Sequence, residues 1–203
     1  MLVSPSFYAP LRAEMTLPLH HVTFASTNRN KYSEAQAILA PFDITVDFAK
    51  VDLVELQSDS LELIAKEKAR SAFDLLKKPA IVEDDGLFID ALKGFPGQYS
   101  SFVFQTIGNA GILNLLKGST SRLASFRSII AYADGRQVSI SEGLVTGRIS
   151  EIEFEGGWGY DPIFVPDGSH LTLAQLDQEK NKFSHRRNGL EKFAQWLLGQ
   201  NRL

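Results

Sequence analysis

Val22-Thr23-Phe24-Ala25-Ser26-Thr27-Asn28-Arg29-Asn30-Lys31 joins two kinds of chain. Residues 22–25 are apolar and strand-forming, whereas residues 31–39 carry helical spacing, so a strand passes through a polar turn into a helix. Ser26, Thr27 and Asn28 present hydroxyls, an amide and backbone N–H groups at the helix N-terminus, the end that attracts phosphate. Lys31, one turn into the helix, adds a full positive charge. A plainer alternative has Ser26 or Asn28 capping the helix and Lys31 in solvent. Neither GxxxxGK[ST] nor GxGxxG occurs, so neither a P-loop nor a dinucleotide fold is indicated.

Downstream, Asp59 with Glu62 three residues later reads as a capping box opening a helix to about Leu76, with Leu61, Ile64, Ala65, Ala72, Leu75 and Leu76 on its apolar side. Ala80-Ile81-Val82 is a compact buried strand expected to end in Glu83-Asp84-Asp85-Gly86, before an apolar run over 87–92. Residues 126–133 and 138–141 flank Asp134-Gly135, which predicts an antiparallel hairpin. Residues 187–198 read as a closing helix with Leu190, Phe193, Ala194 and Leu197 inward and Trp196 in the core. Strands alternating with helices early and a hairpin late predict an α/β protein with a mixed sheet.

The 203 residues are 44% hydrophobic, enough for one core-bearing domain over 21–203, with 1–20 expected to be a dispensable extension because a second methionine, Met15, precedes the first strand. With 21 basic and 24 acidic side chains the net charge is -3 and no basic block stands out, which argues against nucleic acid as a partner. The absence of cysteine excludes a disulfide framework and a Cys nucleophile, and fits a cytoplasmic location. Residues 1–15 hold Arg12 as their single cation and are broken by Pro5 and Pro10, so no signal peptide is expected, nor any membrane span.

Three further stretches carry chemistry. Three adjacent carboxylates after an apolar strand repel one another unless a cation or a solvated turn relieves them. Glu83, Asp84 and Glu55 make an oxygen-only set suited to Mg²⁺, and a carboxylate left over could take a proton from water; the alternative is an exposed acidic turn stabilised by Gly86. In Gly156-Gly157-Trp158-Gly159-Tyr160-Asp161-Pro162 a flat ligand could lie on the Trp158 ring, or the ring could simply pack in its loop. Ser184-His185-Arg186, four residues after Lys180, gathers donors for an anion or a carbonyl-rich ligand, and can equally form the cap and first turn of the last helix.

Taken in order, the turn S/T-x-N-x-x-K, the run E-D-D-G-L, Pro96-Gly97-x-Tyr99-Ser100, the loop G-x-G-Y-D-P and E-K-N-x-x-S-H-R resemble the inosine triphosphate pyrophosphatase (HAM1-like) family over about 22–198. The resemblance implies an elongated central mixed β-sheet with two α/β lobes flanking a long active-site cleft, usually as a homodimer. It implies Mg²⁺-dependent hydrolysis of non-standard purine nucleoside triphosphates (ITP, dITP, XTP) to the monophosphate and pyrophosphate. By position, Ser26, Thr27, Asn28 and Lys31 would bind phosphates. Glu55 and Glu83, with Asp84, would hold Mg²⁺, and Asp84 would activate water. Trp158 would stack on the purine, with Gly159 and Tyr160 beside it, while Asp161, Lys180, Ser184, His185 and Arg186 would recognise its edge and anchor the nucleotide.

The chain departs from the family pattern at Thr27 (often Gly), Trp158 (usually Phe), Asp85 (often Ser in bacterial members) and Ser101-Phe102 (often Ala-Arg). Asp85 leaves the division of labour between Asp84 and Asp85 open. Competing readings are a Maf-like pyrophosphatase, which lacks the Ser-His-Arg ending, and a nucleotide sensor that binds without turnover. An acyl hydrolase has no G-x-S-x-G element to rest on.

Overall fold

A computed structural model describes residues 20–54 and 56–200. The elements are β1 (His20–Ala25), α1 (Arg29–Leu39), β2 (Ile44–Ala49), α2 (Leu61–Leu76), β3 (Ala80–Ile89), β4 (Pro96–Gly97), α3 (Ser100–Leu115), β5 (Leu123–Ala133), β6 (Val138–Ile149), β7 (Phe164–Pro166), α4 (Leu173–Leu176) and α5 (His185–Gln200). One sheet runs in the order β2-β1-β3-β5-β6-β7, with β4 on β3. The β2-β1-β3 pairs are parallel and the others antiparallel, so the sheet is mixed as the sequence predicts.

β3 corrects the sequence reading. It continues through the acidic run to Ile89 rather than ending at Val82, and β5 pairs with it from Ala80↔Ala133 to Ile89↔Ala124. Nor does Gly86 stabilise an exposed turn: a Cβ there would lie 2.4 Å from the Gly97 carbonyl oxygen, so the glycine lets β4 cross the strand closely. β1 meets β3 only at Thr23↔Ala80 and Phe24↔Ile81, and β4 joins only at Leu87 and Phe88. The carboxylates therefore stand along a stretch of β3 that these two neighbours leave open.

Side-chain alternation along a strand then divides the core. Ile81, with Val22, Phe24, Ile130 and Tyr132, packs against α1 and α5. Further along the same face, Leu87 and Ile89 pack with Phe126, Val103, Ile112 and Phe164 in a second cluster under α3 and β7. Glu83 and Asp85 lie between these two apolar clusters. On the opposite face Ala80 and Val82 pack beneath α2 through Leu61, Ala65, Ala69 and Ala72. Each fully buried Leu, Ile or Phe contributes roughly 1.5–3 kcal/mol by leaving water.

α2 starts at Ser60, whose hydroxyl accepts the Leu63 N–H, rather than at an Asp59 box. Leu75, placed on its apolar side, is 61% exposed. The hairpin forms with Ala133 opposite Val138, and Asp134 Oδ1 accepts the N–H groups of Arg136 and Gln137 in its turn. α5 buries Leu190, Phe193, Ala194 and Leu197 as expected, and Trp196 packs at the edge of that core. Its first turn presses on β6, where a Cβ on Gly143 would lie 1.8 Å from the His185 carbonyl oxygen. None of the described helices is long and apolar enough to cross a membrane.

Candidate active site

A cleft of about 660 Å³ opens where β1 leaves β3, and it gathers the sequence-derived candidates: the 26–28 turn, Lys31, the acidic run, the 158–161 loop, Lys180 and residues 184–186. Glu55 lies outside the described residues. At one end, Asn28 caps α1, its Oδ1 accepting from the N–H groups of Asn30 and Lys31, and Ser26 Oγ accepts the Asn28 N–H. The capping alternative thus holds for Asn28, but Lys31 is not in solvent. Its Nζ donates to Asp85 Oδ1 at 2.7 Å and its side chain is 14% exposed. Burial would lower the Lys31 pKa, yet Asp85 and Glu83 outweigh that and raise it.

The three carboxylates divide across the sheet. Glu83 accepts from Ser128 Oγ at 2.8 Å and from Arg186 Nε at 2.7 Å, and Asp85 accepts from Lys31 and from Arg186 Nη2 at 2.8 Å. Asp84 points towards α2, where Lys68 Nζ donates to it at 2.6 Å. Burial would push the Asp85 carboxyl up, but Lys31, His185 and Arg186 hold it well below the usual range. Arg186 is almost fully buried, and although burial opposes its charge, Glu83, Asp85 and Glu34 push its pKa further up.

At the other end Trp158 faces the cleft from a loop tied by Asp161, whose Oδ2 accepts the Trp158 N–H and the Lys180 ammonium. The Tyr160 hydroxyl is occupied by the Ser100 carbonyl at 2.9 Å and its ring is buried, so its phenol packs the wall. Ser184 Oγ accepts the Arg187 N–H and so caps α5. His185 stacks on Phe126 with centroids 4.7 Å apart, and neither of its buried ring nitrogens has a hydrogen-bond partner. Its Nε2 stands 3.6 Å from Asp85 Oδ2.

Sequence reasoning missed Glu34 and Lys68. Glu34 contacts Trp158, Lys180 and Arg186, while Lys68 contacts Asp84. Both sit on amphipathic helices, where a charged residue is ordinary and nothing local marks it. Among the described residues, Glu34, Asp52, Glu83, Asp84, Asp85 and Asp161 line the cleft against four permanent cations, Lys31, Lys68, Lys180 and Arg186. A polyphosphate would therefore enter an acid-rich cleft, and the oxygen donors on β3 are of the kind that binds Mg²⁺. One atom each from Glu83, Asp85 and His185 lie within 4.8 Å of one another, but the Arg186 guanidinium already bridges the two carboxylates.

The model of the Ham1 family matches residues 22–196. A protein named dITP/XTP pyrophosphatase from Methanopyrus kandleri is 52% identical over 179 residues, covering 86% of this chain and 95% of its own. One of the same name from Korarchaeum cryptofilum is 43% identical, covering 89% and 98%. A HAM1 protein from Coxiella burnetii superposes with a TM-score of 0.79 at 31% identity, covering 89% of this chain and all of its own. Family match, identity and fold agree: the chain belongs to the Ham1 family.

Proposed function

We propose that the protein hydrolyses the non-standard purine nucleoside triphosphates ITP, dITP and XTP to the monophosphate and pyrophosphate, with Mg²⁺ as its metal. The name dITP/XTP pyrophosphatase of its relatives supports the substrate class. The observation that carries the reading is one cleft running from a cationic helix N-terminus, across three carboxylates, to a tryptophan. Asn28 and Lys31 receive the phosphates at the α1 end. Asp84, oriented by Lys68, takes a proton from water as its oxygen bonds to the α-phosphorus, and the bond from that phosphorus to the pyrophosphate oxygen breaks. Asp84, with Glu55, would hold Mg²⁺ on the α2 face, which when bound neutralises and orients the triphosphate, while Glu83 on the other face, engaged by Ser128 and Arg186, supports the site from behind the strand.

Trp158 receives the purine, a stacking contact worth about 1–3 kcal/mol. His185, whose ring nitrogens make no hydrogen bond although Nε2 faces Asp85 at 3.6 Å, suits a donor to the 6-oxo group of hypoxanthine or xanthine, and adenine's amino group would leave that donor unmet. The reading includes a homodimer, to be measured by light scattering, and a cytoplasmic location. Purified protein with Mg²⁺ should release pyrophosphate rapidly from ITP and XTP and slowly from ATP and GTP. Orthophosphate as the product, or equal rates on ATP, would contradict the reading; tight ITP binding without release would favour a sensor.

A further inference from the structure

We propose that Glu34 is a positioning residue that ties the base-binding end of the cleft to the helix carrying the phosphate turn, acting through the indole N–H of Trp158. This rests on the reading of Trp158 as the platform for the purine. Three donors, all more than a hundred residues away in sequence, converge on this one carboxylate. Oε1 accepts from Trp158 Nε1 at 3.3 Å and from Lys180 Nζ at 3.1 Å, and Oε2 accepts from Arg186 Nη1 at 2.6 Å. The same two cations flank the indole, Arg186 at 5.4 Å and Lys180 at 5.7 Å from the ring centroid.

Glu34 follows Lys31 by three residues on α1, so the two side chains leave the same helix face about one turn apart. The helix is thus a rigid link between phosphate turn and platform. Burial would push the Glu34 carboxyl up, but Arg186 and Lys180 outweigh that and hold it below the usual range, so the acceptor is charged at neutral pH. Its oxygens are engaged by three protein donors, which makes it a holder of other groups. A phenylalanine at position 158 could stack on a purine but would offer Glu34 no donor, so its ring would be held by packing alone.

The test is steady-state hydrolysis of ITP and ATP by the wild type, Trp158→Phe, Glu34→Gln and the double variant. Glu34→Gln should raise KM for ITP by roughly tenfold or more, the scale of losing hydrogen bonds to a charged group, with a much smaller change in kcat. Trp158→Phe should also raise KM, and Glu34→Gln should then have less effect in that background, since the indole bond that a neutral amide weakens is already gone. Additive effects, or a loss confined to kcat, would overturn the proposal. Trp158→Ala separates the two layers. An unchanged KM there sinks the platform itself, whereas a raised KM with additive Glu34→Gln and Trp158→Phe effects sinks only the Glu34 link. Should Glu34→Gln fail to fold by circular dichroism, a wild-type KM in Trp158→Phe overturns the link by itself.

Discussion

Glu83 and Asp85 leave β3 on one face and Asp84 on the other, and the two faces treat a carboxylate differently. On the α1 and α5 face, Arg186 spreads three bonds over Glu83, Asp85 and Glu34 while Lys31 holds Asp85, with the Glu83 side chain 0% exposed. On the α2 face, Asp84 meets Lys68. A dense network holds charge in place, whereas a base must exchange a proton and change partners. One strand, continuous through the acidic run, thereby sets neighbouring carboxylates in different surroundings, and the proposed reading gives them different work.

The largest effect should come from the α2 face. Asp84→Asn should lower ITP hydrolysis by about 10²–10⁴, the scale of general-base catalysis, with unchanged circular dichroism. The other face should respond in stability. Glu83→Ala strands part of the buried Arg186 guanidinium and should cost about 3–5 kcal/mol, read from the urea midpoint.

The pH dependence should follow the same division. Burial opposes the Asp85 charge but Lys31 and its neighbours win, so its folded pKa lies below the usual 3.8. Its contribution to stability is complete well above 3.8 and is lost as the pH falls below that value. Lys31 is raised above 10.5 and contributes below that value, losing its share as the pH rises past it. Asp85→Asn should therefore flatten the acid limb of stability against pH, followed by thermal melts; an unchanged limb would remove Asp85 from the network. The smallest effect belongs outside the cleft. Arg127 pairs with Glu62 and Glu142 at the surface, and Arg127→Ala should cost at most about 1 kcal/mol.

How much of this was legible depends on where the signal lay. The β1 turn into α1, the Asp134-Gly135 hairpin and the buried face of α5 follow local rules of spacing and turn chemistry, and each forms as expected. β3 was cut short because carboxylates are poor strand formers and the cations that steady them come from residues 31, 68 and 186, which no local window includes. α3 had no charged face to betray it: its sixteen residues hold no charge, and Gly108, with φ 61°, kinks it midway. Within the cleft, motifs announced the loops, whereas Glu34 and Lys68 became visible only through their partners.

The most direct measurement compares pyrophosphate release from ITP by Asp84→Asn and Asp85→Asn, each confirmed folded. Asp84→Asn should be nearly inactive while Asp85→Asn keeps most of its turnover and loses stability at neutral pH, with a flatter acid limb. Full activity in Asp84→Asn beside an inactive Asp85→Asn would reverse the roles assigned to the two faces of β3.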